Sequence, residues 1–474
     1  MSNKLITAFF LLMPAWVHAA SFDGSDLSLI WGIPFALILL SIATGPVLFS
    51  HVWHHHFGKI TLAWTLLFLI PFMLTYGLSE TVHLIAHALV AEYIPFILLL
   101  LALYTVSGGI LVQGNLHGSA KLNTGILTIG TLLASIMGTT GAAMLLIRPL
   151  LRANANRKHQ VHVVVFFIFL VANIGGGLTP LGDPPLFLGF LKGVDFMWTV
   201  KYMMLPVIIS SIILLTVFYL LDLYYYSQAD EIQFNETTST EEEKWQIFGK
   251  WNFTLLAGII GAVLLSGIWQ PKHPGIDIWG TPYLLPNLVR DAILLTITFI
   301  SLFITPKQVR SGNEFNWEPI TEVAKLFAGI FITIAPVLAI LQAGALGAFS
   351  GLIRMVHNDA GEPINTMYFW VTGLLSAFLD NAPTYLVFFN IVGGDAQQLM
   401  YTPLFHTLLA ISMGSVFMGA LSYIGNAPNF MVKAIAEQQK VPMPSFFGYM
   451  IWSFGILIPL FILHTLIFFV FKIL

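Results

Sequence analysis

Two carboxylates stand in segments that a simple apolar helix would not contain. Asp183 lies in GGGLTPLGDPPLFLGF, residues 175–190, which carries three consecutive glycines and three prolines, and Asp380 lies in FLDNAP, residues 378–383. Glycine removes the side chain that would keep neighbouring backbones apart, and proline withholds a donor and leaves a carbonyl unpaired. In lipid those freed groups are costly unless protein, water or an ion takes them up. A buried carboxylate beside them is either protonated or next to a cation, so Na+ and H+ compete for one negative group. Thr139, Thr179, Asn381 and Asn426 flank the same breaks, with Thr140, Asn173, Thr384 and Asn429 close in sequence. Hard cations prefer such oxygen ligands to nitrogen or sulfur, so Asp183, Asp380, Thr179, Asn381, Asn426 and Thr139 are expected to hold an alkali cation. Asp380 and Asn381, just before a proline, also suit a helix cap that touches no ion.

The elements that position these residues follow from composition. Of 474 residues, 57% are hydrophobic and 9% charged, and the mean hydropathy is +0.83. That exceeds what one soluble core buries and identifies an integral membrane protein. Runs of roughly 20 apolar residues favour helices over a barrel. A net charge of -3 offers no surface for nucleic acid, and zero cysteines exclude disulfides and thiolate sites. No GxxxxGK[ST] occurs, so any transport is driven by ion gradients rather than by nucleotide hydrolysis, and the chain is not expected to be an enzyme. No cofactor is expected, Na+ or Li+ being cargo.

Apolar segments fall at about 27–50, 60–77, 93–112, 161–190, 200–222, 251–269, 285–304, 319–343, 403–435 and 446–472. Two more, 121–148 and 366–392, are interrupted near their middles by GTTG, residues 138–141, and by DNAP, residues 380–383. Reading these two as re-entrant hairpins leaves about ten spanning helices. Basic residues then place RANANRKHQ, residues 152–160, on the cytoplasmic side. The order of three helices, interrupted hairpin, broken helix and closing helix occurs over 27–222 and again over 251–472 from the opposite starting side. The expected fold is therefore an all-α polytopic membrane protein of two inverted repeats, each with a re-entrant hairpin and a broken transmembrane helix. The breaks are similarly spaced, Thr139 to Thr179 by 40 residues and Asn381 to Asn426 by 45. A polar, acidic cytoplasmic connection, 223–250, joins the halves, and residues 1–19 have the charge and apolar pattern of a signal peptide.

Other ionisable residues have simpler readings. Glu322 and Lys325 are spaced to pair on one helix face, and the adjacent Arg290 and Asp291 are expected to form a salt bridge outside. The histidines of HVWHHH, residues 51–56, and HLIAH, residues 83–87, are of the residue type that senses pH but lack the acidic partner of a zinc-enzyme motif.

NIGGGLTPLGDPP in the first half, with SAFLDNAP and YIGNAPN in the second, resembles the ion transporter superfamily. The similarity is closest to its NhaD-type sodium/proton antiporters and the related citrate-transporter-like branch, and runs over nearly the whole chain after the N-terminal segment. It implies a homodimer in a bacterial inner membrane, with Asp183 at the acidic position after the first broken segment and Asp380 with Asn381 at an acidic hairpin tip. The Ser-Asn-Thr signature that dicarboxylate carriers bear at both tips is absent, which tells against the citrate reading. The leading expectation is exchange of Na+ or Li+ for H+ by alternating access; the alternative is Na+-coupled transport of a carboxylate or small oxyanion, an organic anion then being a further partner.

Overall fold

The computed structural model describes residues 24–114, 117–227, 246–269, 271 and 275–474. The expected signal peptide and the central part of the acidic connection, 228–245, lie outside the described residues.

Helices dominate because nearly every backbone polar group in an apolar medium must be satisfied within its own segment. In the first half they are α1 (Ile33–Leu48), α2 (Ser50–His87), α3 (Ile94–Ser107), α4 (Ala120–Met137), α5 (Thr139–Ala153), α6 (Val161–Leu170), α7 (Pro184–Leu191) and α8 (Phe196–Ser227). In the second they are α9 (Trp251–Ile268), α10 (Leu285–Ile304), α11 (Glu318–Gln342), α12 (Asn365–Phe378), α13 (Asn381–Ile391), α14 (Phe405–Met418), α15 (Ala427–Gln438) and α16 (Phe446–His464). Two small antiparallel ribbons complete the chain: β1 (Leu111–Gln113) with β2 (Gln246–Phe248), which ties the halves together, and β3 (Gly275–Ile278) with β4 (Thr281–Leu284).

Among the described residues, nine helical stretches are long and apolar enough to cross a membrane, which makes this an all-α polytopic membrane protein. The difference from about ten has physical causes. His51–Ser107 is a single helical run of 57 residues where the hydropathy pattern shows two segments. At 1.5 Å per residue it would extend about 85 Å, far beyond a hydrocarbon core of about 30 Å. The chain turns at Gly77, whose φ of 88° and ψ of 168° suit a residue without a side chain. Conversely, the expected span 403–435 contains only a 17-residue apolar helix, Phe405–Leu421, before its break, while Ala120–Met137, expected as one arm of a hairpin, is long and apolar enough to count and brings the total to nine.

Two groups of helices result. In the flanking group α3 packs on α9 and α10, and α2 on α1 and α11. In the central group α4 and α8 enclose the segment 174–178, and α12 packs along α14. The groups meet where α5 lies on α3 and α13 on α11. Within the central group the halves interlock: α13 packs on α7, and α15 on α5. Short helices of each half therefore pack against those of the other.

A buried ionic knot fixes one end of the central group. Asp222 on α8 is fully buried and accepts from Arg157 Nη2 at 2.5 Å, Asn123 Nδ2 at 2.9 Å and lies 2.7 Å from His162 Nε2. Asn154 bridges back, donating to Asn123 Oδ1 at 2.8 Å and accepting from Arg157 Nη1 at 2.9 Å. These contacts tie α4, the 154–160 loop, α6 and α8 together. Asp222→Ala leaves the Arg157 guanidinium uncompensated, and a loss of about 3–5 kcal/mol is expected. A large fall in the thermal midpoint of the detergent-purified variant checks this; an unchanged midpoint removes the knot from the account of stability.

Candidate functional site

The incoming helices α4 and α12 both stop at a residue with positive φ. Gly138 has φ 79° and ψ 150°, and Asp380 has φ 135° and ψ 136°. The second value is strained for a residue with a side chain. Asp380 Oδ1 accepts from Ala382 N at 3.1 Å, capping α13, while its own carbonyl accepts from Thr384 Oγ1 at 2.7 Å.

The broken helices carry one local turn built twice. After α6, Thr179 Oγ1 donates to Ser135 O of α4 at 2.5 Å and accepts from Leu181 N at 3.1 Å. After α14, Ser422 Oγ donates to Ala377 O of α12 and accepts from Ile424 N at 3.1 Å. Gly182 and Gly425 sit where a side chain is excluded: an added Cβ would lie 2.1 Å from Gly176 O and 2.5 Å from Gly419 O, respectively. The next residue in each case, Asp183 or Asn426, stands at the N-cap position of the outgoing helix, α7 or α15, without a side-chain hydrogen bond to it, and the proline in the first turn lacks only a donor that has no helical partner there.

These constructions converge on Asp183, which is 1% exposed. Its Oδ2 accepts from Asn381 Nδ2 at 2.6 Å, and its Oδ1 from Asn426 Nδ2 at 3.0 Å and Thr139 Oγ1 at 3.3 Å. Thr139 N also donates to Gly182 O at 2.9 Å, joining hairpin tip to break. Behind them, Asn426 Nδ2 reaches Ala172 O at 3.0 Å, Asn173 Nδ2 donates to Asn429 Oδ1 at 2.7 Å, and Asn429 Nδ2 donates to Gly419 O and Ser422 O, both at 2.9 Å. Among the described residues nothing donates to the amide oxygens of Asn381 and Asn426. Each amide spends its nitrogen on the carboxylate and keeps its oxygen for another partner.

The electrostatics are unusual for a buried acid. None of the ion pairs among the described residues involves Asp183 or Asp380. Instead α5, α7, α13 and α15 all begin beside the carboxylate. Each helix N-terminus carries about +0.5 charge, so four contribute on the order of +2. Among the described residues no group of three His, Asp or Glu is disposed to hold a metal ion, so any cation here would be held by one carboxylate with amide, hydroxyl and main-chain oxygens.

Of the six residues singled out in the sequence, four meet directly: Asp183, Thr139, Asn381 and Asn426. Thr179 is turned to Ser135 and serves the bend, and Asp380 caps α13 one residue from Asn381. The local match also differs from one carboxylate at each equivalent break. Asp183 occupies the turn position that Asn426 fills in the second half, and Asp380 the tip position that Gly138 fills in the first. Glu322 and Lys325 do not pair: Glu322 Oε1 accepts from Trp53 Nε1 at 3.3 Å, and the Lys325 ammonium sits 5.4 Å from the Phe57 ring centre. Sequence reasoning missed the serines. Ser135 Oγ donates to Gly175 O at 2.5 Å and Ser376 Oγ to Ser415 O at 2.7 Å, stitching each hairpin to its broken helix. Their signal was a small hydroxyl residue one turn before each tip.

Residues 24–469 match the family model CitMHS_2, whose description reads "Putative citrate transport". No curated protein matches the chain.

Replacing Asn381 by alanine strips Oδ2 of Asp183 of its 2.6 Å donor inside the protein. Stability should fall by about 1–3 kcal/mol. In a double-mutant cycle with Asp183→Asn the loss should shrink, because no buried charge then lacks a donor. Additive changes in unfolding free energy would show that this contact carries nothing.

Proposed function

The chain belongs to the citrate-transport (CitMHS) family of the ion transporter superfamily, the secondary-active membrane transporters, and from that membership we propose that it couples movement of a small carboxylate such as citrate to that of Na+. The observation that carries this reading is the convergence of four helix N-termini on one buried carboxylate that lacks a basic partner among the described residues. Partial charges on the order of +2 roughly balance Asp183 and Asp380 when both are ionised. An alkali cation taken up by Asp183 and the oxygens of Asn381, Asn426 and Thr139 leaves the site with a positive excess. A substrate carboxylate then restores the balance, with helix N-termini as its hydrogen-bond donors. Cation first and anion second is the order that this charge balance favours.

The recurrence of one turn in both halves supports reading α1–α8 and α9–α16 as inverted repeats. On that reading α4 with α5 and α12 with α13 are the re-entrant hairpins, and α6 with α7 and α14 with α15 the broken helices. Eight residues of α7 rise only about 12 Å, too short to cross a hydrocarbon core of about 30 Å alone, as a half of a broken helix would be. Alternating access then follows from displacement of the central group along the flanking one.

Exchange of Na+ or Li+ for H+ is the second reading, favoured by a central carboxylate with no basic side chain beside it. Proteoliposomes separate the two. An inward Na+ gradient should drive uptake of labelled citrate or a dicarboxylate, and Asp183→Asn should reduce it at least a hundredfold, because the variant no longer offers the cation a charge. A Na+-driven proton flux of full size with no organic anion present, and no anion uptake, would overturn symport in favour of exchange.

A further inference from the structure

Arg290 stands on α10 of the flanking group, yet its side chain is 1% exposed. Its guanidinium is held on one side only. Nε donates to Asp291 Oδ1 at 2.7 Å and Nη1 to Asn287 Oδ1 at 3.2 Å, and Asp291 is itself steadied through its other oxygen by the Tyr283 hydroxyl. Nη2 is buried and has no hydrogen-bond partner. A buried guanidinium N–H without an acceptor is costly, so this orientation is retained for a reason other than the pair itself.

One face of the guanidinium borders the central group. The guanidinium carbon lies 6.0 Å from the ring centre of Phe187 on α7. Phe187 N donates to Asp183 O at 3.3 Å, so Phe187 is one helical turn beyond the central carboxylate. Arg290 therefore occupies the seam between α10, which belongs to the flanking helices, and α7, whose N-terminus forms the site. The neighbouring cation at the far end of α7 is already spent: Lys192 Nζ is 2.5 Å from Glu92 Oε1. Arg290 differs because Asp291 neutralises its charge while a terminal nitrogen remains free. Planar, forked and permanently charged, it is the side chain best matched to a carboxylate.

We propose that the free Nη2 edge of Arg290 is a carboxylate-capture position at the α7–α10 seam, which binds the anionic substrate beside Phe187, the residue one helical turn beyond Asp183. It rests on the reading of the chain as a carboxylate transporter and adds a recognition residue outside the central constellation. Arg290 touches the anion during entry or release, whereas Asp183 takes the cation, so the two residues govern different ligands. The arginine supplies the basic group that the central site lacks, at a position where it does not compete with the cation for Asp183.

The test measures KM for the anion, the Na+ concentration giving half-maximal uptake, and the thermal midpoint with and without citrate, in wild type, Arg290→Gln, Arg290→Lys and Lys192→Gln. Arg290→Gln should raise the anion KM roughly tenfold or more, because a charge-assisted hydrogen bond is lost, and leave the Na+ requirement within twofold. Arg290→Lys keeps the charge without the fork and should fall between, and Lys192→Gln should match wild type in anion KM. Citrate should raise the midpoint of wild type more than that of Arg290→Gln. An unchanged anion KM in a folded Arg290→Gln protein overturns the capture position alone. If that variant does not fold, a wild-type KM in Arg290→Lys does the same. Absence of any anion uptake by wild type defeats the symport reading and this position together, and is thereby distinguishable from failure of the position alone.

Discussion

A carboxylate buried without a basic partner is the constraint around which the rest of the molecule is arranged. Asp183 is satisfied by two amides and a hydroxyl, none of them charged. Neutral donors alone compensate poorly for lost hydration, and the missing attraction comes from helix N-termini, which act only over the first turn. They must therefore be brought into contact with the acid inside the protein. This requires helices that begin in the interior, hence the short α7, α13 and α15 and the glycines and prolines that precede or open them.

Interior helix ends leave main-chain groups to be satisfied, and the chain does so with hydroxyls from neighbouring helices. Ser135, Thr179, Ser376 and Ser422 each bond a carbonyl across a hairpin and its adjoining break. The repeated turn imposes this on both halves, but the acids are distributed unequally. Where the first half places Asp183 the second places Asn426, and where the first places Gly138 the second places Asp380. An acid at all four positions would set like charges together at one buried point, and none would leave nothing for a cation. The two amides instead donate to the acid and retain free oxygens.

The apolar runs and the Gly/Pro interruptions were legible in the sequence because membrane burial and backbone breaks are properties of single segments. Asp183, Thr139, Asn381 and Asn426 were legible as site candidates for the same reason. Their mutual contacts were not, since Asn381 Nδ2 meets Asp183 across 198 positions of the chain and nothing local encodes that pairing. The single-residue turn at Gly77 within a long helical run also eluded hydropathy, which reads composition and not φ. The Glu322 and Lys325 spacing satisfied a helix rule, yet Trp53 and Phe57 on α2 offered each a different partner, a tertiary choice that i,i+3 geometry does not anticipate. Arg290 and Asp291 do pair, but burial of the pair against α7 is what gives it meaning, and adjacency in sequence says nothing of burial.

Among the described residues no basic side chain pairs with Asp183, and on the symport reading proposed above the helix ends take its place. A site made for a cation and a proton alone needs a carboxylate and oxygen ligands; surrounding it with positive partial charge weakens its hold on both. Four converging N-termini are thus a poor design for exchange and a sound one for a site that must also accept an anion. With the acid ionised and no cation bound, the partial charges are largely offset and the anion is weakly held. With the cation in place a positive excess of about one charge remains for the anion. On that reading each ligand makes the other bind more tightly, which is the thermodynamic content of coupling, and the geometry of helix ends would supply it without a basic residue at the centre.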